Sequence, residues 1–122
     1  MIKILIASAL LMPISANSRP YFDYMSLANQ CRTVSHKLAE LSLIQTEAAC
    51  ITIVGQSETD IGLAANALAK EAFHLAKNYL NETNSRLKHA VLIGCENSLE
   101  IDVARSELIE INAQIIDLVR IK

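Results

Sequence analysis

Between residues 101 and 118 the apolar side chains Ile101, Ala104, Leu108, Ile111, Ile115 and Leu118 recur at alternating steps of three and four. That alternation keeps one stripe of an α-helix turned toward a neighbour for more than two heptads, the pattern of a bundle seam. A β-strand would need a period of two, and the chain is also short of the residues that build strand connections. It has only 3 Gly and 2 Pro in 122 residues, too few for the many turns of an all-β fold. Its length suits one domain.

Upstream the same helical spacing recurs. Tyr24, Leu27, Ala28, Cys31, Val34 and Leu38 form a first stripe, which residues 39–43 extend or bend. A second, short apolar piece runs from Ala48 to Val54, carries Cys50 and stops at Gly55. Residues 55–60 read as a loop, in which Ser57 or Thr59 caps the next helix. That helix is expected over residues 61–80, with Ile61, Ala64, Ala65, Leu68, Ala72, Leu75, Ala76 and Tyr79 on one face. Residues 81–85, Asn-Glu-Thr-Asn-Ser, then break the pattern with turn-forming side chains, and a last helix covers residues 86–118. The expected architecture is all-α: an N-terminal helical hairpin followed by two long antiparallel helices, part of an up-down four-helix bundle.

The first 18 residues read differently. Lys3 supplies a positive start, residues 4–12 are an unbroken apolar run, and Pro13 with the small residues Ser15, Ala16 and Ser18 supplies a break and a cleavage region. The run is too short to cross a bilayer core, so residues 1–18 are expected to be a secretory signal peptide, and residues 19–122 the mature helical domain. Cleavage removes Lys3 and takes the net charge from −2 to −3, 10 basic against 13 acidic residues. Neither the charge nor any long Lys/Arg run points to nucleic acid, and no membrane association is expected after cleavage.

Secretion gives the three cysteines, Cys31, Cys50 and Cys95, an oxidising setting in which one disulfide forms and one thiol is left over. If residues 24–41 and 48–54 form an antiparallel hairpin, a Cys31–Cys50 bond would staple its open end. It would contribute roughly 3 kcal/mol by restricting the unfolded chain. Pairings with Cys95 remain open from spacing alone; the favoured one leaves Cys95 unpaired, between Gly94 and Glu96. No catalytic constellation emerges. His36, His74 and His89 stand without a second ligand at short helical spacing, so no metal is expected. His89 lies six residues before Cys95, nearly across the helix, which excludes a local Cys–His pair. The acidic residues Glu96, Glu100, Asp102, Glu107 and Glu110 read as a solvated helix face. Asn81-Glu82-Thr83 is an N-glycosylation sequon in the expected interhelical turn.

Three segments together resemble the plant invertase/pectin methylesterase inhibitor family. Residues 31–35, Cys-Arg-Thr-Val-Ser, resemble its opening cysteine motif, with Cys50 as the hairpin partner. Residues 60–64, Asp-Ile-Gly-Leu-Ala, lead into an Ala-rich helix through Ala67, Ala69, Ala72 and Ala76. Residues 86–96, Arg-Leu-Lys-His-Ala-Val-Leu-Ile-Gly-Cys-Glu, are similar to the motif that opens the next helix. The Cys31–Cys50 interval is longer than the family's, and Leu99 stands where an aromatic is common. The resemblance implies a secreted, non-enzymatic inhibitor without cofactor. Its partner would be a carbohydrate-active enzyme, pectin methylesterase or invertase, bound stoichiometrically in the cell wall, apoplast or vacuole.

It further implies that two bundle helices and a fourth cysteine would lie beyond Lys122. The bundle is therefore expected to be incomplete, with the stripe of Ile101, Leu108, Ile111 and Ile115 free for self-association. The alternatives are a bacterial periplasmic helical protein of the immunity or binding type, and a truncated product without inhibitory activity.

Overall fold

A computed structural model describes residues 19–121, and of the side chains those of residues 24–120; the expected signal peptide, residues 1–18, lies outside it. The described residues form four helices: α1 Arg19–Leu43, α2 Ala48–Ala69, α3 Phe73–Leu92 and α4 Ser98–Ile121. With 25, 22, 20 and 24 residues, each is about 30–38 Å long. Short connections make consecutive helices antiparallel neighbours. α1 packs on α2, α2 on α3 and α3 on α4, and α4 returns to α1 along the thinnest of the four seams.

Each helix carries its own three-four stripe. α1 buries Tyr24, Leu27, Cys31, Val34, Leu38 and Leu41, and α2 buries Cys50, Val54, Ser57, Ile61, Ala64 and Leu68. The stripe of α3 is Ala76, Leu80, Thr83, Leu87 and Ala90; that of α4 is Ile101, Ala104, Leu108, Ile111 and Ile115. Cross-helix hydrogen bonds mark the register. Ser35 Oγ donates to the Glu58 carbonyl at 3.0 Å, the Arg86 guanidinium pairs with Asp60, and Asn112 Nδ2 donates to Asn81 Oδ1 at 2.9 Å.

Several expected boundaries are corrected. The all-α class holds, and the described residues form four helices of which the last returns to the first. Residues 19–22, which precede the first expected stripe, belong to α1. The loop expected at residues 55–60 is the middle of α2, and the break expected at residues 81–85 is the middle of α3. At both places a small polar residue occupies a seam position. Ser57 and Thr83 are fully buried, and the stripes on either side of them override local turn preference.

The real turns lie elsewhere. α2 ends at Ala69, where the Ala72 N–H donates to Ala67 O (2.8 Å) and Glu71 N–H to Leu68 O (3.0 Å). α3 ends the same way: Cys95 N–H donates to Ala90 O and Gly94 N–H to Val91 O, both at 3.1 Å. These paired bonds form the Schellman closure, which requires a left-handed residue just past the helix. Glu71 (φ 60°) and Gly94 (φ 80°) occupy that position.

Candidate functional site

The α1–α2 and α3–α4 connections lie at one end of the bundle, and two interactions join them. Cys50, in the first turn of α2, is disulfide-bonded to Cys95, just past α3, with a Cα–Cα distance of 5.7 Å. Beside it the buried Gln45 side chain clamps the opposite loop. Its Nε2 donates to the Glu96 carbonyl (3.0 Å) and to the Leu41 carbonyl (2.9 Å). Its Oε1 accepts the Glu96 N–H at 2.9 Å. One primary amide thus satisfies both backbone groups of Glu96 in a region where unpaired polar groups are costly.

The cysteine assignment is therefore corrected. Cys50 pairs with Cys95, and Cys31 is the free thiol, fully buried in the α1 stripe. The Ser35–Glu58 bond explains why. It sets residues of α1 and α2 in a register that places Cys50 opposite the end of α1, roughly 18 Å along the axis from Cys31. A disulfide cannot span that gap. Burial pushes the Cys31 thiol up from 9.0 to about 12, against the lowering pull of the Arg32 charge. A thiol so far from its thiolate form is not poised as a nucleophile.

This end also carries much of the protein's exposed apolar surface. Leu43 is 84% exposed, Leu99 78% and Leu92 74%, and Ile44, Ile51 and Ile93 are each close to half exposed. All six belong to the two loops or to the helical turns that flank them. Within residues 41–51 and 91–100 the charged residues are Glu47, Glu96 and Glu100, all acidic and exposed. Lys88 and His89, also exposed, stand one turn back on α3.

Two hollows lie on the sides of the bundle. One, of about 400 Å³, follows the α1–α4 seam between Gln30, Thr33 and Val34 on one wall and Val103, Glu107 and Glu110 on the other. The other, of about 380 Å³, lies over α2 and α3 beside the Asp60–Arg86 pair.

The remaining expected sites are dispersed. His36, His74 and His89 are exposed on separate turns, and among the described residues no three of His, Cys, Asp or Glu form a group that could hold a metal ion. Asn81 is exposed in mid-helix, whereas Thr83 of the same sequon is fully buried, its Oγ1 without a hydrogen-bond partner. Ile101, Leu108, Ile111 and Ile115, expected as a self-association surface, are 0–2% exposed. Their stripe is covered by the protein's own helices, which removes it as a surface. No helix of the described residues is long and apolar enough to cross a membrane.

Gln45 and the exposed leucines escaped the sequence reading. The signal for Gln45 was present: it continues the α1 seam by the next step of four after Leu41. A polar residue in a seam position needs buried partners, and Glu96 supplies them. No family model, curated protein or solved structure matches this chain.

Proposed function

We propose that this protein is a secreted or periplasmic binding protein that acts by stoichiometric docking to a protein partner, with inhibition of that partner as its activity. The observation that carries the reading is the Cys50–Cys95 disulfide joining the start of α2 to the α3–α4 loop at one end of the bundle. Structural disulfides persist outside the reducing cytosol, in accord with the apolar leader expected over residues 1–18. The bond also holds the surrounding loops in place, and a preordered surface loses little entropy on association. The buried, protonated Cys31 gives no nucleophile to set against a binding role.

The sequence resemblance supports a carbohydrate-active enzyme, pectin methylesterase or invertase, as the target. Titrating each enzyme with the mature, oxidised protein tests this. Activity falling to a stoichiometric end point is the expected result, and undiminished activity at micromolar excess overturns that choice of target. A periplasmic immunity-type role is the second reading, favoured by one observation. The disulfide ties the first turn of α2 to the loop after α3, where the resemblance implies a bond within the first hairpin.

A further inference from the structure

The rigid end and the exposed leucines occupy the same place, and their coincidence has a consequence. Leu43, Ile44, Ile51, Leu92, Ile93 and Leu99 surround the two loops that the disulfide and the Gln45 amide hold together. An apolar loop surface in a small helical protein ordinarily collapses onto the core or stays mobile. Here the backbone beneath it is fixed from both sides, so the side chains are held out in water. Large apolar side chains clustered at an exposed surface mark interaction sites.

We propose that this apolar end is the docking surface of the protein, and that its partner is a protein with an apolar hollow rimmed by Lys and Arg. The inference rests on the binding role proposed above and names its surface. Charge selects the occupant. Glu47, Glu96 and Glu100 are the charged residues of the two loop segments, and Lys88 and His89 stand behind them on α3. A second copy of the chain would bring the same carboxylates face to face, which opposes self-association through this end. An anionic membrane would be repelled in the same way. A basic rim around an apolar hollow is complementary to both features, with the leucines supplying burial and the carboxylates steering encounter.

The test uses the mature, oxidised protein immobilised and exposed to the extracytoplasmic proteins of its source cells. Each retained protein is identified, purified and titrated in isolation against variants. Leu92→Asp combined with Leu99→Asp alters side chains that are mostly in water, so the fold is retained, as its melting curve and intact disulfide would verify. Ile109→Asp combined with Ile116→Asp, on the outer face of α4, is the control.

The expected result is a one-to-one complex that the first pair weakens by at least about tenfold, that the control leaves unchanged, and that added salt weakens. Binding lost in the control and kept in the leucine pair overturns the docking surface but leaves the binding role standing. Absence of any stoichiometric complex overturns both. Sedimentation of the wild type as a dimer that the leucine pair dissociates would give the surface to a second copy. Flotation with phosphatidylcholine vesicles, abolished by the same pair, would give it to a lipid surface. Either result overturns the proposal.

Discussion

The two ends of this bundle are closed by the same backbone device and secured by different means. At one end α3 terminates through Gly94 in the left-handed region, and the next residue, Cys95, is bonded to Cys50. At the other, α2 terminates through Glu71 in that region, and the neighbouring packing is the tilted pair of Tyr24 and Phe73, ring centroids 5.0 Å apart. One end is fixed covalently and by a satisfied amide clamp; the other has a three-residue turn beside the Tyr24–Phe73 ring contact. The difference teaches where order was worth adding. The secured end carries Leu43, Leu92 and Leu99 in water, and exposed apolar side chains hold a defined arrangement only on a backbone that does not open.

Removing the staple is the largest way to break this contrast. Closing a 45-residue separation contributes roughly 4 kcal/mol by restricting the unfolded chain. Cys50→Ala or Cys95→Ala should therefore lower Tm by roughly 20 °C. Hydrogen exchange in residues 44–50 and 93–97 should rise to the level of the α2–α3 turn. Unchanged exchange there would mean that packing alone orders this end.

The clamp comes next. Gln45→Ala leaves both backbone groups of Glu96 without their partner and should cost about 2 kcal/mol in chemical denaturation. Faster exchange of the Glu96 amide would show that the loss is local. Conversely, Thr83→Val removes a buried hydroxyl without a hydrogen-bond partner and should leave stability unchanged or raise it by up to about 1 kcal/mol. It also removes the sequon, so the comparison with Asn81→Gln in the native host separates any glycan effect from packing.

At neutral pH the smallest effect concerns Cys31. Its folded-state pKa, about 12, lies above the ordinary 9.0, so between those values the native state holds a proton that the unfolded chain has lost. Stability from this group is complete below pH 9 and declines as pH rises toward 12. Denaturation midpoints measured across that range should fall more steeply in the wild type than in Cys31→Ala, and a thiol reagent at neutral pH should label Cys31 only after unfolding.

The helical class and the α4 seam were legible in the sequence because Ile101 through Ile115 keep an apolar residue at every step. The middle helices were not, for a local reason. Ser57 and Thr83 interrupt the apolar stripes of α2 and α3 beside Gly55 and the Asn-rich run at 81–85, so turn-forming composition outweighed a seam that continues through both. The true turn at Lys70–Ala72 has neither Gly nor Pro to announce it, and its left-handed residue is a glutamate. The disulfide was hidden for a related reason. An α2 that stops near Val54 makes a first hairpin short enough for Cys50 to staple. α1 runs unbroken to Leu43 and α2 starts at Ala48, so Cys50 faces the end of α1, about half a helix from Cys31, and lies against Cys95. The exposed leucines carry no sequence signal, since exposure at a loop is a tertiary property.

Cysteine connectivity in protein recovered from its native host tests the account most directly. Arg32 and Lys37 separate Cys31 from Cys50, and Lys70, Lys77, Arg86 and Lys88 separate Cys50 from Cys95, so trypsin places each cysteine on its own peptide. After denaturing alkylation without reductant, the expected result is a Cys50–Cys95 linked pair with Cys31 alkylated. A Cys31–Cys50 link would contradict the stapled end, and three alkylated thiols would contradict both that end and the extracytoplasmic role built on its disulfide.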